Sequence, residues 1–136
     1  MAETAYTVKQ PATFGGDIGS LIIEWQLTGT NTGAPYQCAM WEKITIHLYG
    51  ATAGIVKIEG SLEDFSLTMS DFSNFATLST AGDPATPVLA TLNFDSGSPP
   101  KIMPIHGPVH LVRPNASSSL TGTATIRMLL QTGTQG

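Results

Sequence analysis

Charged residues are scarce in this sequence. They make up 12% of the 136 residues, against roughly 25% in an ordinary soluble domain. Six basic and ten acidic residues leave a net charge of −4, and the basic residues form no cluster of the kind that nucleic-acid binding requires. We therefore expect no nucleic-acid partner, and a surface made mainly of hydroxyl, amide and backbone groups.

Cysteine and long apolar runs are scarce as well. Cys38 is the only cysteine, so it cannot form an intramolecular disulfide and is predicted to be a buried or half-buried free thiol. No apolar run approaches the ~20 residues of a membrane-spanning helix, and the N-terminus lacks the basic and then apolar pattern of a signal peptide. We expect folding in a cytoplasm and no membrane partner.

The apolar residues that are present occur in short, strand-like segments. These segments are rich in β-branched residues and are separated by clusters of Gly, Pro, Asn and Ser. They cover residues 22–27, 44–49, 55–59, 88–94, 109–112 and 123–130. No segment predicts a long helix, so the pattern indicates an all-β domain, an antiparallel β-sandwich of jelly-roll type.

Three local patterns give more specific expectations. The short connection from Gly50 to Gly54 joins two alternating segments, which predicts a hairpin over residues 44–59. Pro114 is expected to end its strand because proline has no N–H for a continuing ladder. Residues 62–72 have apolar side chains at a helical spacing but are rich in Ser, Thr and Asp, so this segment is either an irregular excursion or a short helix.

The N-terminal residues are polar and contain glycine. They predict an extended arm over residues 1–20, followed by a single β-sandwich domain over residues 21–136. Tyr6, Val8 and Phe14 are the candidate contacts of this arm with the surface of another protein. Deleting residues 1–14 is accordingly expected to spare the fold and to weaken attachment.

The titratable residues do not form a recognisable active site. His47 and His110 are expected on the polar faces of strands and His106 in a loop, because none of them lies in a metal-ligand spacing. Glu59, and the neighbouring acids at positions 63 and 64, do not match a calcium loop. Since nucleophile and phosphate-binding motifs are also missing from the sequence, we expect no enzyme activity, no catalytic residues, no cofactor and no metal.

Aromatic residues suggest one alternative to a purely structural role. Trp25, Tyr36, Trp41 and Tyr49 are candidates for a sugar-binding platform of the kind found in carbohydrate-binding β-sandwiches. Trp25 lies inside an alternating segment and is expected in the core, whereas Trp41 and Tyr49 flank a strand and are the better surface candidates.

Several local patterns, taken in order, resemble a family of small structural proteins of tailed bacteriophages, the capsid decoration or cement proteins. The resemblance runs from about Trp25 to Leu130 and is carried by the Asn31–Pro35 turn, the strand Ile44–Leu48, the segment Ile55–Ser61 and the tripeptide Val112-Arg113-Pro114. The chain departs from the family pattern after Ser61, where extra residues precede Phe75–Leu78, and after Pro114, where the turn is not rich in glycine.

The resemblance implies a virion protein that is assembled in the host cytoplasm and binds the outer surface of the major capsid protein shell. On this interpretation Tyr6, Val8 and Phe14 of the arm are the candidate contacts with a neighbouring subunit or with the capsid. A protein of this kind is expected to form a homo-oligomer, with a trimer favoured and a dimer next. The alternative is a tail, fibre or carbohydrate-binding module that recognises a host surface.

Overall fold

The computed structural model describes residues 3–13, 20–38, 41, 43–62, 75–79, 89–96, 100–105 and 110–131. Within these residues the secondary structure is almost entirely β, which confirms the predicted all-β class. The strands are β1 (Glu3–Thr4), β2 (Thr7–Thr13), β3 (Ser20–Gly29), β4 (Thr32–Gly33), β5 (Tyr36–Gln37), β6 (Lys43–Tyr49), β7 (Ala53–Ser61), β8 (Ala76–Thr77), β9 (Thr91–Asn93), β10 (Lys101–Ile105) and β11 (Leu111–Gln131), with one 3-10 turn at Phe94–Ser96.

The 21-residue strand β11 organises the whole molecule. Its first half pairs with β7, β4 and β5, and β7 pairs on its other side with β8 and β9. Its second half lies between β3 and β6, which pair further out with β2 and β10. β11 links all eleven strands into one continuous sheet, and we call its two halves the first sheet and the second sheet. All these pairs are antiparallel; β1 joins the edge of the first sheet through a parallel pair with β4.

A single hydrophobic cluster draws residues from the inner faces of both sheets, as a β-sandwich requires. Alternation decides which side chains enter it: Ile44, Ile46 and Leu48 lie on one side of β6 and are buried. Trp25 is fully buried, which confirms its expected place in the core, and its indole N–H donates to the Ala34 carbonyl at 2.9 Å. The jelly-roll connectivity of the strands stays a prediction.

The predicted hairpin over residues 44–59 is wrong in its pairing, although both of its strands exist. β6 pairs with β10 and with the second half of β11, whereas β7 pairs with the first half of β11. The connection between them therefore crosses from one sheet to the other. Two glycines with positive φ, Gly50 at 108° and Gly54 at 103°, bound this corner. A short glycine-bounded connection is compatible with either arrangement, and the long β11 decides between them.

The prediction that Pro114 ends its strand is also wrong. β11 continues through Pro114, which is buried opposite Ile58 of β7. On the other flank, among the described residues, β5 pairs with Leu111 and Val112, and β4 pairs with Asn115. Pro114 thus falls at a gap in the ladder on that side, where a missing N–H costs little.

The N-terminal residues that the structure describes form two strands, and the division into an arm over residues 1–20 and a domain over residues 21–136 stays a prediction. Glu3–Thr4 pair with Thr32–Gly33, and β2 pairs with β3 along the edge of the second sheet, with two irregularities in register. Backbone hydrogen bonds attach this segment to the neighbouring strands. Any residue except proline can donate such bonds, so the polar composition of the segment does not predict them. Phe14 lies outside the described residues, and so does the predicted excursion over residues 62–72 apart from Leu62.

Candidate interaction surface

The outer face of the second sheet is built from the strand residues that alternate with the core. Cross-strand register sets Glu24, Arg127, His47 and Ile102 in one row, because each residue lies opposite the next on the neighbouring strand. Neighbouring rows extend this surface along the strands. We call it the open face: Ile22, Glu24, Gln26, Lys43, Thr45, His47, Tyr49, Ile102, Pro104, Arg127 and Leu129.

The open face has an apolar part at the β10 edge and in the adjoining row. Ile102 exposes 67% of its surface, although it lies within a strand. In the next row Ile22 and Leu129 lie opposite each other and are half-buried. The rings of His47 and Tyr49 are 4.7 Å apart and tilted by 41°. A surface of this kind can exchange water for an apolar partner without changing the conformation of the sheet.

An ion-pair network supports the centre of the open face. The Glu24 carboxylate accepts from Arg127 Nε at 2.8 Å and from Gln26 Nε2 at 3.1 Å, and it lies 3.6 Å from Lys9 Nζ. Glu24 is only 5% exposed, and the hydrogen bond to it raises the pKa of the Arg127 guanidinium. Its three partners compensate the charge of the buried carboxylate. They therefore reduce the free-energy cost of removing Glu24 from water.

The charge of the open face is opposite in sign to that of the whole chain. Lys9, Lys43 and Arg127 lie on it or at its edge, and among its described residues Glu24 is the acid. The described residues of this region are therefore net positive, whereas the chain carries a net charge of −4. An asymmetry of this kind directs the face toward acidic surfaces.

The outer face of the first sheet is polar. Glu59 accepts from Arg113 Nε at 3.0 Å and from Asn115 Nδ2 at 3.1 Å, and Thr32 Oγ1 donates to Asn115 Oδ1 at 3.2 Å. The Arg113 guanidinium also lies 3.8 Å from the centre of the Phe75 ring. Glu59, which the sequence placed in a cluster of acids, is thus bound into a structural network, and its neighbours at positions 63 and 64 lie outside the described residues.

The predicted contact residues occupy different environments. Tyr6 is 38% exposed, but its ring lies edge-on to Tyr36 at 5.1 Å and to Trp25 at 6.2 Å. Much of this side chain therefore contacts its own chain. Val8 is 49% exposed on β2 and remains accessible to a partner. Phe14 lies outside the described residues.

The remaining candidates that the structure describes do not form an exposed aromatic platform, although Tyr36 and Trp41 share a side-chain hydrogen bond. Trp41 is 7% exposed, which removes it from any aromatic platform, and Tyr49 faces outward beside His47. His110 is exposed and holds the Cys38 backbone N–H with its carbonyl at 2.8 Å, while His106 lies outside the described residues. Across the part of the chain that the structure describes, no three His, Cys, Asp or Glu side chains could hold a metal ion.

Sequence reasoning missed the open face because a face is a property of register. Thr45, His47 and Tyr49 were recognisable as the polar side of β6, but nothing in their order shows that Arg127 and Ile102 lie beside His47. The one signal in the sequence is the apolar residue at position 102 between a lysine and a methionine.

Within the described residues no helix is long and apolar enough to cross a membrane.

Comparisons with known proteins give a fold likeness and no family. No protein-family model matches the sequence, and no curated protein matches it. Among solved structures, the SPBc2 prophage-derived protein YomS is similar, with a TM-score of 0.61 at 14% identity over 85% of this chain and 94% of that one. A cupin domain from Bordetella pertussis Tohama I aligns over 96% and 97% of the two chains at 9% identity, but its TM-score of 0.42 is too low to indicate a common fold.

Proposed function

We propose that this chain is a virion structural protein, a capsid decoration or cement protein that binds the outer surface of the major capsid protein shell through its open face. The observation that carries the proposal is the combination of exposed apolar side chains and compensated charges on one rigid sheet face. The protein acts by contact, without catalysis or a cofactor.

The physical properties of the open face suit a lasting contact between proteins. Its side chains stand on paired strands, so little conformational entropy is lost when a partner covers them. Glu24 already has its partners within the chain. Binding of another protein therefore does not bury an unpaired carboxylate. A specific contact of this class buries on the order of 1,000 Å² or more, an area that a five-stranded face is broad enough to supply.

Electrostatics favours an acidic partner over a second copy of the chain at this face. Two copies that met there would bring Lys9, Lys43 and Arg127 of one near the same residues of the other. An acidic shell surface would instead attract the face. The oligomer that we propose, a trimer or otherwise a dimer, would therefore use other surfaces of the chain.

Two likenesses support a virion role. The ordered motifs from Trp25 to Leu130 resemble the phage decoration proteins, and the fold is similar to that of YomS, a protein described as prophage-derived. Because the fold likeness is remote in sequence, it adds weight to the proposal only together with the open face.

The experiment compares two aspartate substitutions at equally exposed apolar residues. Ile102 on the open face is 67% exposed and Leu62, which follows β7, is 68% exposed. Each purified variant is mixed with particles that lack the chain, and the bound fraction is measured after sedimentation. We expect Ile102→Asp to weaken binding by about tenfold or more and Leu62→Asp to bind like the wild type.

Equal binding by both variants would contradict the role of the open face. A wild-type chain that bound purified particles at only a few sites near the tail would contradict the decoration role itself and favour a tail or fibre component.

A further inference from the structure

We propose that a pocket on the outer face of the first sheet binds a neutral saccharide. The pocket is an open-sided cavity of about 570 Å³, which lies in the size range of small-molecule sites. It is lined by Glu3, Thr30, Thr32, Arg113, Asn115, Ala116 and Ser117. It lies on the opposite sheet from the open face and is independent of the function proposed above.

Three separate segments meet to form this pocket. β1 contributes Glu3 through its pairing with β4, the turn after β3 and the adjoining β4 contribute Thr30 and Thr32, and the first half of β11 contributes the rest. A register shift in the β11–β7 pair falls between Ala116 and Ser118. Irregularities of this kind reorient side chains and commonly occur beside binding sites, and here Ser117 is exposed at the wall of the pocket.

The floor of the pocket is held in place by contacts within the chain. Asn115 is fixed from both ends, since its amide donates to Glu59 and its oxygen accepts from Thr32. Arg113 is fixed by Glu59 at Nε and by the Phe75 ring across its plane. Polar groups that are already oriented lose little entropy when a ligand binds.

The ligand class follows from the groups that remain available. Among the described residues, the terminal Nη groups of Arg113 have no acceptor, so they can donate to a ligand. The Glu3 carboxylate accepts, and the hydroxyls of Thr30 and Ser117 can do both. The negative charges of Glu3 and Glu59 disfavour an anionic ligand, and the positive charge of Arg113 disfavours a cationic ligand. A neutral ligand whose neighbouring hydroxyls both donate and accept is the class that satisfies this mixture.

The test is a titration of the isotope-labelled full chain, followed by NMR. The neutral probes are the methyl glycosides of glucose, galactose and N-acetylglucosamine, and the charged probes are methyl glucuronide and methyl glucosaminide. We expect at least one neutral probe to shift the backbone amides of residues 30–32 and 115–117, and to do so more strongly than either charged probe.

Two variants decide whether the pocket is responsible. The double variant Thr30→Val/Ser117→Val removes two exposed hydroxyls at the pocket, and Thr123→Val removes an exposed hydroxyl on the same strand outside it. We expect the double variant to lose at least about tenfold in affinity and Thr123→Val to bind normally. The proposal is overturned if no neutral probe shifts these amides at about 50 mM, if a charged probe binds more tightly, or if the double variant, still folded by its spectrum, binds like the wild type.

Discussion

Gly54 and Gly122 lie at or beside the connection between β6 and β7. We predict that adding a side chain at either position lowers the stability of the fold. Both have positive φ, 103° and 84°, a conformation that strains any L-residue by about 1–2 kcal/mol. They differ in their surroundings. A Cβ at Gly54 would lie 2.6 Å from the Ser119 carbonyl oxygen, whereas a Cβ at Gly122 would meet nothing closer than 3.9 Å.

This difference gives a matched pair of substitutions. Gly122→Ala should lower the free energy of unfolding by about 1–2 kcal/mol through backbone strain alone. Gly54→Ala should lower it by about 1–3 kcal/mol more, because the backbone of β11 must move to admit the methyl group. Urea unfolding followed by circular dichroism measures both. Equal losses would show that the corner between the sheets is less tightly packed than the structure indicates.

The thiol of Cys38 is predicted to be inert in the folded state. Burial raises its pKa from 9.0 to about 12, so the reactive thiolate is rare at pH 8.5. Iodoacetamide should therefore modify the native chain far more slowly than the chain in urea. Alkylation at the same rate in both states would contradict the burial of this side chain.

The same shift predicts how stability depends on pH. Below about pH 9 the thiol is protonated in both the folded and the unfolded states and has no effect. Between about pH 9 and pH 12 it ionises only when the chain unfolds, so its contribution to stability falls as the pH rises. Over this window the wild type should lose more stability than Cys38→Ala, measured from urea midpoints at each pH. An identical loss of stability in both proteins would contradict the raised pKa of Cys38 in the folded state.

At the scale of elements, the sequence predicts strands better than it predicts their partners. Alternation identified β6, and its alternate residues Ile44, Ile46 and Leu48 are the buried ones, because alternation is a local property of the strand. Pairing is decided by distant segments. The 21-residue β11 takes β6 along one half and β7 along the other, and no property of residues 44–59 alone could exclude a hairpin. The open face and the polar pocket depend on the same long-range register.

The N-terminal strands give a prediction about one element. Tyr6 links this segment to the core through its contacts with Trp25 and Tyr36, whereas Val8 on β2 is 49% exposed. Tyr6→Ala should lower the free energy of unfolding by about 1–2 kcal/mol and speed amide exchange over residues 3–13. Val8→Ala should change both by much less. Slow exchange in Tyr6→Ala would show that backbone pairing alone holds the segment.

The structure also revises the expected effect of truncation. Deleting residues 1–14 removes both β1 and β2 and exposes the edge of β3, and an uncovered edge favours aggregation. We now expect the truncated chain to be less stable than the full chain, instead of retaining the fold unchanged.

At the scale of the whole molecule, we predict that the chain uses different surfaces for self-association and for attachment to the shell. We expect a homo-oligomer, a trimer or otherwise a dimer, whose interface does not include the open face, since like charges would meet there. Sedimentation equilibrium should therefore give the same mass for Ile102→Asp as for the wild type, while that variant binds particles more weakly. If Ile102→Asp dissociates the oligomer, the open face is a contact between copies of this chain.

The most direct test of the central claim is a cryo-electron microscopy reconstruction of the purified particle that carries this chain. We expect the chain to be present in many copies over the outer surface of the shell, with the open face, including Ile102 and Leu129, turned toward the major capsid protein. A few copies confined to the tail, or a shell-bound chain whose open face points to solvent, would contradict the account.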